Sequence, residues 1–186
     1  MKKLKGSIGY IKFKRIQVIC TALVLFGLSF SMYFFGVYHL GTNKSLFTII
    51  AVLGLLPASK QLVNVIMYFK ARECKSEIAE LTKAVGDNNI LYELFFTTPT
   101  KSFTLDCICV YPDNIIAIAS KKIDVALLEE YINKVLSSNG YSDVKFKIFD
   151  DTGAFLSRFE VLSQKNLLSD DDKIIKMANL LKIISL

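Results

Sequence analysis

The chain has 186 residues, 52% of them hydrophobic and 22% charged, with a formal net charge of +6. That composition excludes a disordered chain, and the sequence carries no collagen, coiled-coil or solenoid repeat. The charge is not spread evenly. Residues 1–15 hold six cations (Lys2, Lys3, Lys5, Lys12, Lys14 and Arg15) and no anion; residues 16–69 hold only Lys44 and Lys60; residues 70–186 hold 15 Lys and Arg against all 17 Asp and Glu. The excess positive charge lies in or beside an apolar region, which argues against a basic DNA-reading domain.

The first 15 residues read as a basic tail. Residues 16–40, IQVICTALVLFGLSFSMYFFGVYHL, then run for 25 residues without Asp, Glu, Lys or Arg. As a helix they span about 37 Å, enough to cross a ~30 Å hydrocarbon core with some tilt. A second apolar block, SLFTIIAVLGLLPAS, fills residues 45–59, and QLVNVIMYF resumes after Lys60. Only GTNK joins the two blocks, so residues 16–69 are expected to form a transmembrane helical hairpin. A signal peptide would have a shorter apolar core, a cleavage site and no second block.

Cations flank the hairpin's outer ends and are sparse in its turn, which predicts both termini on the cytoplasmic side. Lys12, Lys14 and Arg15 are expected at the membrane interface, against anionic headgroups. Lys60 is expected to reach the headgroups by snorkelling; the alternative is a polar pathway in a transporter or channel subunit. Gly27 with Ser31, and Gly54 with Ala58, form small-xxx-small pairs suited to close helix packing within the hairpin or between copies. Pro57 should kink or loosen the second span. His39, the only histidine, reads as an interface residue, since a catalytic base needs an orienting partner.

Residues 70–186 are enough for one small cytosolic domain. Cys74, Ile78, Leu81 and Val85 recur at helical spacing up to Gly86. ILYELFFT (90–97), SFTLDCICVY (102–111) and IIAIA (115–119) read as strands, separated by turns at Pro99 and Pro112. Phe103, Leu105, Cys107 and Cys109 are expected on one face of the second strand. A helix follows from an Asp124 cap, with Val125, Leu128, Ile132 and Val135 inward and a stop at Asn139-Gly140. DVKFKIF (143–149) alternates, placing Lys145 and Lys147 outward. Two helices close the chain: one on Phe155, Leu156, Phe159 and Leu162, the other capped by Ser169 to Asp172, with Ile174, Met177, Ala178 and Leu181 inward. The expected fold is therefore α+β: a hairpin, then an α-β-β-β-α-β-α-α domain built on a mixed four-strand sheet.

The cytosolic cysteines, Cys74, Cys107 and Cys109, read as buried small side chains, because a zinc site wants four ligands and this region has no histidine. The acidic run Asp170 to Asp172 reads as compensation of a helix dipole. No phosphate-binding glycine loop and no nucleophile elbow is present. No catalytic residue, metal ligand or cofactor is implied.

The element order resembles the core of the PD-(D/E)xK nucleases. The resemblance covers residues 71–149 and places Asp106 as the second-strand acid and Lys121 as the lysine after the third strand. Glu77 or Glu80 would be the helical acid. Ala119-Ser120-Lys121 stands where Glu-x-Lys is expected, so the resemblance implies a degenerate site short of a carboxylate for a divalent metal. Lys121-Lys122 also sits where double-stranded RNA binding domains are Lys-rich, but Asp124, Glu129 and Glu130 follow and repel phosphate. The whole layout resembles small bacterial membrane proteins with a two-helix anchor and a cytosolic domain, which implies the plasma membrane as location. The expected role is a membrane-anchored binding or regulatory module. Its expected partners are the bilayer and a membrane or cytosolic protein; nucleic acid is not among them, and self-association through the spans is an alternative.

Overall fold

The computed structural model describes residues 4–41, 45–74, 76–84, 89–98, 101–119, 123–165 and 171–186. It divides into two compact units. One is Ile11–Ala71; the other joins the chain up to Tyr10 with Arg72–Leu186.

The first unit is a helical hairpin of α1 (Tyr10–Leu40) and α2 (Leu46–Lys70). Both helices are long and apolar enough to cross a membrane. Ser45 caps α2 and accepts from the Thr48 amide. α2 runs unbroken through Pro57. The residues that α1 buries, Ile11, Val18, Ala22, Ser29 and Gly36, step by seven, four, seven and seven. Ala51 and Ala58 repeat the seven-residue step on α2. A seven-residue period of small side chains lets two helix backbones approach along a left-handed seam. The outer surface is apolar: Leu23, Leu28, Phe34, Leu53, Leu56 and Val63 are each more than half exposed. Such a surface needs lipid or protein over it in water.

The second unit is an α/β domain. Its elements are α3 (Ser76–Ala84), β1 (Ile90–Thr97), β2 (Ser102–Val110), β3 (Asn114–Ile118), α4 (Val125–Ser138), β4 (Lys145–Phe149), α5 (Thr152–Lys165) and α6 (Asp171–Ile184). The sheet order is β1-β2-β3-β4. β1, β2 and β3 form an antiparallel meander, and β4 lies parallel to β3 through the α4 crossover. This is the mixed four-strand α+β arrangement expected from the sequence.

Helices cover both faces of the sheet. On one, Leu128, Ile132 and Leu136 of α4 and Ile174, Met177 and Leu181 of α6 pack on Phe96, Leu105, Ile108 and Ile115. On the other, Ile78 of α3 and Phe155, Phe159 and Leu162 of α5 pack on Tyr92, Cys107, Cys109 and Ile116.

Two expected faces shift. Phe103 and Leu105 point to the α4–α6 side, whereas Cys107 and Cys109 point to the α3–α5 side. The alternation breaks between them at Asp106, because the rung there is irregular. The buried stripe of α3 includes Ile78, Ala79 and Thr82, and Leu81 is 45% exposed. Thr82 is drawn inward because its hydroxyl donates to the Ile78 carbonyl at 2.7 Å and pairs with the Tyr92 hydroxyl at 2.9 Å. Val85, Gly86, Pro99, Lys121, Ser169 and Asp170 lie outside the described residues, as does the turn residue Lys44.

Candidate functional site

β1 and β2 keep one register on either side of an irregular rung. Tyr92 pairs with Cys107 and Leu94 with Leu105, and Glu93 and Asp106 occupy the rung between. Glu93 has φ 55, a left-handed conformation that a non-glycine residue rarely adopts. Both carboxylates are buried, at 3% and 4% exposure. A buried carboxylate needs hydrogen bonds to offset lost hydration. Glu93 finds two through one oxygen: its Oε1 accepts from the Gly9 amide at 2.8 Å and from the Cys74 amide at 3.3 Å.

Those two amides have a particular place in the chain. Gly9 is the residue before α1, and Cys74 lies four residues beyond the end of α2. One side chain thus gathers the segment that leads into the hairpin and the segment that follows it. Further bonds support the gathering. The Tyr92 amide donates to the Gly6 carbonyl at 2.9 Å, the Lys5 amine donates to the Ser185 carbonyl at 2.7 Å, and the Arg72 amide donates to the Thr104 hydroxyl at 3.3 Å. Gly6 and Gly9 have φ of +87 and +75, so the turns that bring this segment onto β1 are ones glycine makes without strain.

The surroundings favour neutral thiols. Burial, and then the Asp106 carboxylate, push the Cys74 thiol up from 9.0 to about 12. Burial and the neighbouring Cys109 push Cys107 well up as well. Cys107 and Cys109 share a face with their sulfurs 3.9 Å apart, and both are free thiols. Neither Cys74 nor Cys107 is a ready nucleophile, since the thiolate is the reactive form. Among the described residues no group of three or more His, Cys, Asp or Glu is placed to hold a metal ion.

Arg15 joins the two helices of the hairpin. It donates through Nε to the Tyr68 carbonyl at 3.2 Å and through Nη2 to the Ala71 carbonyl at 2.9 Å. Tyr68 lies in the last turn of α2, whose free carbonyls carry the negative dipole end, and Ala71 is the residue that caps it. The guanidinium also lies 5.7 Å from the centre of the Phe69 ring. Lys12 is exposed, and the half-buried Lys14 donates to Gln17 Oε1 at 3.2 Å.

Gly54 and Ala58 lie in the seam. A Cβ on Gly54 would come 2.7 Å from Ser29 Oγ, and Ala58 is fully buried. Gly36, which the sequence did not single out, is tighter: its Cβ would meet Phe47 Cβ at 2.6 Å. Gly27 and Ser31 lie on the exposed surface of α1, and a Cβ on Gly27 would meet nothing. Lys60 is exposed on α2, between the levels at which Gly54 meets Ser29 and Tyr68 meets Arg15.

The sequence reading missed Glu93. The available signal was a single acid inside the otherwise apolar strand ILYELFFT, a pattern that points to a carboxylate satisfied by nearby donors. No protein-family model matches the chain, and neither does any curated protein or solved structure compared with it.

Proposed function

We propose that this protein is a membrane-anchored binding or regulatory module whose α/β domain works at the cytoplasmic face of a bacterial plasma membrane, against a membrane or cytosolic protein. The observation that carries the reading is the convergence of Gly9 and Cys74 on Glu93. If the segments before α1 and after α2 belong to one folded domain, both helix ends must emerge on the side that holds the domain. The six cations of residues 1–15 support the cytoplasm as that side. Anchoring then raises the domain's effective concentration near membrane partners.

Topology is tested by single cysteines in an otherwise Cys-free chain. An impermeant maleimide added outside intact cells should label Asn43→Cys and leave a cysteine appended after Leu186 unlabelled until the cells are opened. Labelling of the appended cysteine from outside would overturn the topology. Photo-crosslinking from the domain in native membranes should yield discrete protein adducts, and their absence would count against a binding module.

A second reading, a tethered degenerate nuclease domain, is supported by the strand order, the β3–α4–β4 crossover and the place of Asp106 on β2. It predicts Mn²⁺-dependent cleavage of plasmid DNA that Asp106→Asn abolishes, or, for an inactive descendant, Mn²⁺ binding that the same change weakens. No binding and no cleavage would remove it.

A further inference from the structure

The core stripe of α5 is Phe155, Phe159 and Leu162. Ala154, Ser157, Arg158 and Val161 form a second stripe beside it, at the same helical spacing. This second stripe faces alternate residues of two parallel strands: Asn114 and Ile116 of β3, and Lys145, Lys147 and Phe149 of β4. Asn114 lies beside Lys145 and Ile116 beside Lys147 in the strand register. Because Ala154 and Ser157 are short, a groove of about 550 Å³ stays open between helix and sheet. That volume lies within the range of small-molecule sites.

The groove's charge is one-sided. Lys145, Lys147 and Arg158 line it and no Asp or Glu does. The unit around it is balanced, with 17 Lys and Arg against 17 Asp and Glu over residues 1–10 and 72–186. Three acids close in sequence to the groove residues have partners. Asp151 Oδ2 accepts from the Ala154 amide at 2.8 Å, and Lys173 lies 3.9 Å from Asp113 and 2.9 Å from Asp143. Lys147 Nζ lies 5.4 Å from the centre of the Phe149 ring, which steadies it over the groove wall. Ile116, Phe149 and Val161 supply an apolar wall, and Asn114 and Ser157 supply neutral donors.

We propose that this groove binds an organic phosphate carrying at least two negative charges, its phosphate held by Lys145, Lys147 and Arg158 and its organic part laid on the apolar wall. A guanidinium and two ammoniums around one concavity match that anion, and Arg158 can engage it with two parallel N–H donors. The same chemistry is offered by a free nucleotide and by a phospholipid headgroup. The inference does not depend on which side of the membrane the domain occupies.

The test uses the full chain in maltoside micelles, which carry no phosphate. ATP is the free probe and dihexanoylphosphatidate the headgroup probe, each titrated calorimetrically at low salt. Saturable 1:1 binding is expected for at least one. Lys147→Gln and Arg158→Gln should each weaken it about tenfold, and Lys134→Gln, an equal charge loss outside the groove, should leave it within twofold. Binding of ATP assigns the site to free organic phosphates; binding of phosphatidate alone assigns it to headgroups. No saturable binding of either probe would overturn the proposal, as would binding that all three variants weaken equally. Thermal unfolding without ligand should be unchanged in the three variants, because these side chains are exposed.

Discussion

Removing the Glu93 carboxylate tests whether one side chain holds both hairpin-flanking segments to the domain. Its Oε1 accepts from Gly9 at 2.8 Å and from Cys74 at 3.3 Å. A buried donor left without its partner costs ~1–3 kcal/mol. The shorter bond belongs in the upper part of that range and the longer at its foot, so Glu93→Ala should destabilise the domain by about 3 kcal/mol. The backbone supplies an internal control. Glu93 sits at φ 55, where a side chain costs ~1–2 kcal/mol that glycine does not. Glu93→Gly should therefore cost about 1 kcal/mol less than Glu93→Ala, by the same principle. Glu93→Gln keeps an acceptor oxygen and loses only the charge, so it should be the mildest of the three.

The assay is urea unfolding of the full chain in maltoside micelles, with amide hydrogen exchange read at Gly9 and Cys74. Exchange at those two amides should accelerate by about a hundredfold in Glu93→Ala, the factor that ~3 kcal/mol of lost protection gives. Amides of β3, across the sheet, should follow only the global loss. Stability within about 0.5 kcal/mol of wild type, the scatter of ordinary surface changes, would refute the clamp. So would unchanged exchange at Gly9 and Cys74, or a glycine variant less stable than the alanine one.

Four further outcomes follow from the same geometry. With its pKa pushed up from 9.0 to about 12, folded Cys74 should alkylate with iodoacetamide at pH 8 about a thousandfold more slowly than in urea-unfolded chain, as mass spectrometry can read. The same raised pKa leaves stability undiminished below pH 9 and erodes it as pH climbs from 9 towards 12, where the unfolded thiol ionises and the folded one does not; a flat alkaline limb of the melting curve would contradict this. Lys173 and Lys101 hold Asp143 and Asp124 below the usual carboxylate range of 3.8, so these pairs stabilise above about pH 4 and fade as pH falls through the lowered values; Asp143→Asn should flatten the acid limb of melting temperature against pH. In the hairpin, Gly36→Val should disrupt helix pairing by ~1–3 kcal/mol because its Cβ lands 2.6 Å from Phe47 Cβ, while Gly27→Val should leave pairing intact; disulfide trapping between α1 and α2 distinguishes the two.

Much of this fold was legible because period and punctuation agree. The 25 uncharged residues after Arg15, the alternation of Lys145 to Phe149 and the stripe Ile174, Met177 and Leu181 each point to one element. Faces were less legible than elements. Counting alternate residues along SFTLDCICVY puts Phe103 and Cys107 together, and they lie on opposite sides because the Glu93–Asp106 rung breaks the alternation. A period-two argument cannot register a local backbone irregularity. The hairpin seam was half legible. Gly54 and Ala58 lie in it, but on α1 the seam passes through Ser29 and Gly36 and leaves Gly27 and Ser31 outside. Small residues say that close approach is allowed; which of them face the partner depends on where each helix begins. Glu93 and Gly9 are 84 residues apart in sequence, and no local pattern links them.

The charge also changes meaning once the units are known. Ile11–Ala71 carries Lys12, Lys14, Arg15, Lys44, Lys60 and Lys70 and no acid, so the whole +6 belongs to the hairpin and the domain unit is neutral. A neutral domain has little long-range repulsion to keep copies apart, so its sheet edges matter. At β1 the Gly6 carbonyl takes the Tyr92 amide and the Leu186 amide meets the Phe95 carbonyl. At β4 the amides of Phe146 and Ile148 are taken by Asn133 and Glu129 of α4, at 3.1 Å and 2.7 Å. Exposed edges invite strand addition, and here Gly6, Leu186, Asn133 and Glu129 take some of the bonds that an added strand would use. Docking by strand addition is thereby disfavoured at these positions, and the one-sided cationic groove beside β4 is where side chains concentrate charge of a single sign.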